Sequence, residues 1–235
     1  MRQAIKDLLI LQAEDLRIRD LKTRFASIPG ERAALVAEFD VVRKGLEKAK
    51  QDKLKVEQAA KQQAAATKSA QETLQALMIK STSVKKINEY NAILAEIENA
   101  KKNISDSETR EIELIDEQKA ADKALVKAER SYKAVGRTVQ AEVRELDALK
   151  AAIVKEIVER EKRSEELAKN VVPSYLESYR RLLARGKGSP VGAIRNGSCA
   201  NCNLMNSPET ILDAKNGKLV SCNNCSFLLY DPDAE

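Results

Sequence analysis

The chain has 235 residues, of which 33% are charged and only 3% are aromatic, and its formal net charge is +5. It contains no His, which excludes Ser-His-Asp and Cys-His catalysis and metal sites built on imidazole. Gly and Pro are scarce, with 8 and 5 copies, a composition typical of long, solvated helices. No apolar run approaches the ~18 residues of a membrane-spanning helix. We therefore expect a cytoplasmic, non-enzymatic protein without membrane insertion.

A heptad pattern predicts that residues 1–172 form a helical coiled coil. Every seventh position from Tyr90 onwards is apolar or Tyr in nine of twelve cases, and further apolar residues lie three positions before this row. A repeat sustained over so many heptads predicts two long helices packed along one seam. The row comprises Tyr90, Ile97, Ile104, Glu111, Gln118, Leu125, Tyr132, Val139, Leu146, Ile153, Arg160 and Leu167, and its companions are Ile87, Leu94, Ile115, Val143 and Ile157.

The first arm repeats the pattern more weakly at Leu11, Ile18 and Phe25, with Leu21 and Ile28 offset by three. Pro29 removes an amide donor, so we expect a break or sharp kink near residue 29. A turn is expected near residues 80–86, where β-branched and cap-forming residues interrupt the pattern. Because the arms on either side are similar in length, we predict an antiparallel hairpin. A parallel dimeric coiled coil is the alternative, and homodimerisation of the hairpin is left open.

Residues 173–195 are predicted to form a short amphipathic helix, from Ser174 to Ala184, and a turn-rich linker. This segment concentrates positive charge, and Tyr175 and Tyr179 lie on the same helix. It is a weak candidate for a patch that contacts RNA, DNA or an acidic protein. The alternative is a solubilising helix at the neck of the hairpin. The basic residues are Arg180, Arg181, Arg185, Lys187 and Arg195.

Residues 196–235 carry the strongest chemical signal, two Cys-x-x-Cys pairs separated by nineteen residues. Each pair can fold into a tight knuckle that directs two thiolates at one ion, and two knuckles complete a tetrahedral site. Cys199 and Cys202 form the first pair, and Cys222 and Cys225 the second. We predict one structural Zn²⁺ in a zinc ribbon, since four protein ligands leave no open catalytic position. Two disulfides, a redox-active pair or an iron-sulfur cluster are the alternatives.

The remaining residues of this segment predict a small mixed fold. Ser207 and Pro208 are typical of a helix start, and short strands are expected at 219–220 and 227–230. The segment has a net charge of −3, which disfavours phosphate binding by the ribbon itself.

Five stretches carry a further signal: Leu11–Leu16, Ile28–Pro29, Asn88–Ile97, Asn196–Cys202, and Cys222–Cys225 leading to Leu229–Tyr230. Together they resemble the bacterial coiled-coil and C4-type zinc ribbon family. Its members include a sigma-54-interacting flagellar chaperone of Helicobacter and a chlamydial counterpart linked to type III secretion. This chain departs from the family at Ser226-Phe227, where Gly-Arg commonly follows the last Cys.

The resemblance implies a mainly α fold, a long antiparallel coiled-coil hairpin with a small C-terminal four-cysteine zinc ribbon. It also implies an adaptor or chaperone that binds proteins through both parts, with sigma-54 factor and components of type III secretion or flagellar export as partners. The alternative function is an RNA- or DNA-binding regulator that uses the basic 175–195 segment and the ribbon.

Overall fold

The computed structural model describes residues 2–186 and 188–234, and most of them are helical. Two long helices form an antiparallel hairpin, as predicted, and a short helix and a small cysteine-containing domain follow. None of the described helices combines the length and the apolar composition needed to cross a bilayer. The elements are α1 (Gln3–Ser83), α2 (Ile87–Ala168), α3 (Pro173–Leu183), β1 (Val191–Arg195), β2 (Ser198–Cys199), α4 (Pro208–Lys215), β3 (Val220–Ser221) and β4 (Leu228–Tyr230).

The chain divides into two compact units. The first unit contains residues up to 31 and from 144 onwards, and the second contains residues 32–143. The division therefore falls within two residues of Pro29 in sequence.

Contacts within the second unit establish that α1 and α2 run in opposite directions. The ring centroids of Phe39 and Tyr132 lie 5.0 Å apart, and Nζ of Lys53 lies 2.7 Å from Oδ1 of Asp122. Further along α1, the side-chain amide of Gln63 donates to a carbonyl of α2 at residue 107. As the residue number rises on one helix, it falls on the other, so the pairing is antiparallel and within one chain.

The end of α1 is built from short polar side chains. The hydroxyls of Ser81, Thr82 and Ser83 each donate to the carbonyl three residues earlier, at 2.7, 2.7 and 2.8 Å. Such local bonds offer the backbone an alternative to further helix and favour a helix end. The three residues before α2 begins, 84–86, lie inside the segment where a turn is expected.

The apolar seam of the second unit differs from the predicted one at its companion positions. Ile97, Ile104 and Val139 of the predicted row are buried, but the companions Ile87, Leu94 and Ile115 are exposed. Between residues 104 and 135 the second row instead lies three positions after the first. Rows three positions before and three positions after the first row lie on opposite sides of it, so the spacing of the first row alone does not fix which of the two completes the seam. The residues of this shifted row are Ser107, Leu114, Ala121, Ala128 and Val135, of which Leu114 is fully buried.

Three apolar clusters lie in the first unit, and two of them involve the long helices. In the larger cluster, the start of α1 packs against α3 and the first strand of the sheet through Leu8, Leu11, Tyr179, Leu182 and Val191. The smaller cluster joins α1 to α2 through three buried residues. The predicted α1 positions Leu11, Ile18, Leu21 and Ile28 are all buried, which confirms the seam in this part of the first arm.

The predicted helix break near Pro29 is wrong, because α1 continues through this residue. Ile28 is buried against Leu21 and Ile153, so packing offsets the lost amide hydrogen bond. On the exposed side, the guanidinium of Arg24 pairs with the carboxylate of Glu31, two residues beyond the proline. The chain therefore tolerates a proline that would destabilise an unsupported helix by about 3 kcal/mol.

The small domain is a four-stranded sheet in the order β2-β1-β4-β3. β1 pairs with β4 in parallel, with Val191 opposite Leu228, and its other edge pairs with β2 in antiparallel fashion. Residues 191–195 were predicted to be linker, and this prediction is wrong because they form an inner strand. The domain thus begins at Val191 and not at residue 196.

Candidate metal centre

The structure brings the four predicted cysteines together. Their Sγ atoms all lie within 4.8 Å of one another, with Cys199 3.7 Å from Cys225 and Cys202 3.8 Å from Cys222. An ion with tetrahedral bonds of about 2.3 Å to sulfur places its ligands about 3.8 Å apart. The separations of these two pairs match that spacing, so the four sulfurs are suited to a four-coordinate metal ion.

The two knuckles, residues 199–202 and 222–225, share one hydrogen-bond pattern. The first Cys of each donates its N–H to the carbonyl five residues later, Leu204 at 3.0 Å and Phe227 at 2.8 Å. The carbonyl of the same Cys accepts the N–H four residues later, from Asn203 at 2.8 Å and Ser226 at 3.0 Å. These bonds close each loop and turn both sulfurs of a pair to the same side.

The tight knuckles require a left-handed backbone just after each second cysteine. Asn203 has φ of 58° and Ser226 has φ of 62°. Asn tolerates this conformation through local hydrogen bonding, whereas Ser is destabilised in it by the steric clash of its Cβ. A glycine at position 226 would adopt this conformation without the steric cost of a Cβ.

Helix α4 covers the apolar side of the knuckles. Its N-cap is Ser207, whose hydroxyl accepts the N–H of Thr210 at 3.3 Å, and Pro208 occupies the first turn. Ala214 of this helix is fully buried with Cys199 and Cys222. The sequence predicted the helix start, and the structure shows that the helix closes the core beneath the sulfurs.

The backbone around the sulfurs acts on their ionisation. Burial raises the pKa of Cys222, but hydrogen bonds from the amides of Cys225 and Asn224 and from the thiols of Cys225 and Cys202 together outweigh burial and lower the pKa to about 7. Burial also raises the pKa of Cys225, to about 12, and neighbouring sulfurs contribute to this rise. Four thiolates cannot share this space without a cation to balance them, so the donor set is suited to a soft divalent metal.

Sequence reasoning missed a set of polar residues near the start of α1 that contact the rest of the first unit. The side chain of Gln12 accepts the N–H of Val191 at 2.6 Å and donates to its carbonyl at 2.9 Å. Asp15 accepts from Ser164 and Tyr179 at 2.5 and 2.7 Å, and Glu14 pairs with Arg160 at 2.7 Å. A signal for Gln12 existed, since it lies on the helical face of the buried Ile5 and Leu8.

Four residues of the predicted basic patch, Arg180, Arg181, Arg185 and Arg195, are exposed, and Lys187 lies outside the described residues. Tyr179 of the same helix is fully buried. Its ring fills the apolar cluster between α1 and α3 and therefore cannot stack on a base.

Fold and site together define a class of protein: a long intrachain helical hairpin that carries a small four-cysteine domain. Neither a family model nor a curated protein matches the chain. Solved structures do. The structure of CT398 from Chlamydia trachomatis is similar with a TM-score of 0.80 and 24% sequence identity, over 97% of each chain.

Two further solved structures share the fold. The HP0958 protein from Helicobacter pylori has a TM-score of 0.57 and 18% identity, over 99% of each chain. A protein from Mycobacterium smegmatis has a TM-score of 0.54 and 14% identity, over 94% of this chain and 97% of that chain. The family that the sequence resembles also has members in Chlamydia and Helicobacter. At these sequence identities, the similarity shows the fold.

Proposed function

We propose that this protein is a non-enzymatic cytoplasmic adaptor or chaperone with one structural Zn²⁺, and that it binds sigma-54 factor and components of type III secretion or flagellar export. The single observation that carries an adaptor role is the helical hairpin, which presents large apolar side chains to solvent beside its turn. The absence of His from the sequence supports a role without general acid–base catalysis. The named partners rest on the family resemblance.

Zinc is the metal we propose for the four cysteines. Soft thiolates select Zn²⁺ among abundant divalent ions, and zinc sites with four protein ligands are structural. A reducing cytoplasm keeps such thiols available to the metal. Since the domain is small, zinc supplies much of its folding free energy.

Metal analysis of the full chain purified without chelator tests the site. We expect about one zinc per chain, and Cys222→Ser should reduce this content because only three thiolates remain. Ser207→Ala is the matched control, since it changes a nearby cap outside the ligand set. A zinc content near zero in the unmodified chain would exclude the site.

The turn between α1 and α2 is the surface we propose for a protein partner. Ile79 and Ile87 are 66% and 76% exposed, and Met78 and Tyr90 lie exposed beside them in sequence. Lys80 and Lys85, also exposed, flank the turn. An exposed apolar patch rimmed by lysines fits a partner surface that combines an apolar pocket with carboxylates.

Capture from native cytosol, with the full chain as bait, tests the partners and the surface together. We expect sigma-54 factor and secretion components to be recovered, and Ile79→Asp with Ile87→Asp to abolish this recovery. Val41→Asp is the matched control, since Val41 is 71% exposed in the same unit but lies away from the turn. Reproducible absence of both partner classes would exclude the named partners; equal loss in the control would exclude the surface.

Nucleic-acid binding is the second candidate, and the exposed Arg180, Arg181, Arg185 and Arg195 support it. The buried Tyr179 and the acidic ribbon count against it. Such binding would weaken steeply with salt, with a slope set by the few phosphates contacted. Titration of a fluorescent RNA and a fluorescent DNA at low salt tests it, and no binding there would exclude this role.

A further inference from the structure

We propose that metal binding by the four cysteines is coupled to the attachment of the small domain to the start of α1. The coupling passes through residues 188–191, which we call the docking segment. This inference rests on the proposed metal site, and it adds a role for Gln12 and Asn201 that neither the cysteine pattern nor the resemblance contains.

On one side, the docking segment is held by the first knuckle. Asn201 lies between Cys199 and Cys202, and its side-chain amide pairs with both backbone groups of Ser189. Nδ2 donates to the Ser189 carbonyl at 2.6 Å, and Oδ1 accepts the Ser189 N–H at 3.3 Å. The N–H of Asn201 points at the sulfur of Cys199, at 3.4 Å. The position of Asn201 therefore depends on the shape that an ion imposes on the knuckle.

Glycines on either side make room for this amide. A Cβ at Gly188 would lie 3.1 Å from Oδ1 of Asn201, and one at Gly192 would lie 3.5 Å from Nδ2. Gly188 also has φ of 64°, a conformation that other residues rarely adopt. The chain thus has small residues where the knuckle approaches the docking segment most closely.

On the other side, the docking segment is held by α1. Gln12 is only 8% exposed, and its amide pairs with both backbone groups of Val191, at 2.6 and 2.9 Å. Arg19, about two turns further along α1, donates to the carbonyl of Gly188 at 2.8 Å. A buried amide left without such partners is destabilised by its full desolvation free energy. Gln12 therefore strongly favours the arrangement in which Val191 is hydrogen-bonded to α1.

The second knuckle reaches the same segment through β4. Leu228, three residues after Cys225, donates its N–H to the carbonyl of the buried Pro190 at 3.0 Å. The first knuckle directly, and the second through the strand that follows it, are therefore bonded to Ser189 and Pro190, and the next residue, Val191, is bonded to Gln12. Loss of the ion should loosen both knuckles, and with them the backbone groups that Gln12 requires.

Coupling of this kind is reciprocal: if metal favours docking, docking favours metal by the same factor. Gln12→Ala should therefore weaken zinc binding by roughly tenfold, the size expected for loss of buried hydrogen bonds. Competition with a chromophoric chelator, on the full chain, measures this affinity. Gln63→Ala is the matched control, because Gln63 also lies on α1 and donates to a carbonyl, but in the second unit. Its zinc affinity should equal that of the unmodified chain.

A purely structural role for Gln12 gives a different result. It would lower the melting temperature equally with zinc and with excess chelator. Coupling requires that Gln12→Ala lower the melting temperature more in zinc than in chelator. The reason is that the contact between Gln12 and Val191 is already weakened in the metal-free chain.

Hydrogen exchange on the unmodified chain keeps the proposal testable if Gln12→Ala does not fold. The N–H of Val191 should exchange slowly with zinc bound and at least tenfold faster after chelation, while amides around Val139 in the second unit keep their rates. Unchanged protection at Val191 together with unchanged zinc affinity in Gln12→Ala would overturn the coupling and leave the metal site intact. A chain that binds no zinc would overturn both.

Discussion

The phenol of Tyr179 donates a hydrogen bond to Oδ2 of Asp15 at 2.7 Å, and thereby joins α3 to the first helix of the chain. The tyrosine is fully buried, while Oδ1 of the same carboxylate accepts the hydroxyl of Ser164 on α2. One carboxylate therefore ties three helices together. Tyr179 thereby anchors the helix whose other side carries the exposed Arg180 and Arg181.

Tyr179→Phe should destabilise the first unit by about 1–3 kcal/mol. The ring still fills its cavity, but Asp15 loses a donor in a partly buried position, and hydrogen bonds to charged groups lie at the upper end of the usual range. Urea unfolding followed by circular dichroism at pH 8 measures the change. Tyr175→Phe is the control, because no hydrogen bond of its hydroxyl is seen among the described residues. Equal effects of the two variants would contradict this assignment.

The hydrogen-bonded pair of Tyr179 and Asp15 predicts that the stability of the chain falls at alkaline pH. Burial, and then the bond to Asp15, raise the pKa of Tyr179 above its ordinary value of about 10. The folded chain thus keeps a proton that the unfolded chain releases, so this contribution to stability is complete below about pH 10 and falls as the pH rises further. The stability difference between the unmodified chain and Tyr179→Phe should therefore narrow from pH 8 to pH 11. If this stability difference instead widened with pH, the pKa of Tyr179 would be lowered by folding and not raised.

The helices and the cysteine site were predictable because their signals are local. Heptad spacing reports burial along one helix, and Cys-x-x-Cys reports a loop of a few residues. β1 was not predictable from such signals, because its partner Leu228 lies far along the chain and Pro190 and Gly192 are typical of a turn. The sheet pairing at Val191 outweighs these local preferences.

Tyr179 and Pro29 show the same limit in helices. An amphipathic pattern places Tyr179 on a helix but does not reveal which neighbour covers it. Pro29 carries a strong local signal for a break, yet the buried Ile28 and the pair Arg24 and Glu31 keep the helix continuous. Tertiary packing decided both cases, and it is not encoded in any short window of sequence.

Pro29→Ala should stabilise the chain by about 2–3 kcal/mol, since an alanine restores the missing amide donor and relieves the clash with the preceding turn. Gly30→Ala should add about 0.5–1 kcal/mol, because a Cβ there meets no atom within 4 Å. Thermal unfolding by circular dichroism measures both. A loss of stability in Pro29→Ala would show that the helix requires the shape that proline imposes.

Ser226→Gly should stabilise the zinc-bound domain by roughly 1 kcal/mol. Ser226 has φ of 62°, and the left-handed conformation costs a residue with a Cβ about 1–2 kcal/mol, part of which returns as backbone entropy in glycine. Asn203→Gly at the equivalent place in the first knuckle is the matched control and should change little, because Asn tolerates this conformation. Melting temperatures in saturating zinc compare the two. A gain in the control as large as in Ser226→Gly would refute the explanation.

Adjacent residues on α2 test where the seam of the second unit runs. Leu114 is 3% exposed and Ile115 is 47% exposed, although the heptad pattern assigned Ile115 to the seam. Leu114→Ala should cost about 2–4 kcal/mol, since it opens a cavity between the helices, whereas Ile115→Ala should cost less than about 1 kcal/mol. Both variants remove aliphatic carbons from neighbouring positions of the same helix, so differences in helix propensity are small beside the effect of burial. The urea midpoints of the two variants show which of the two rows forms the seam. A larger loss of stability in Ile115→Ala would support the row that the sequence predicted.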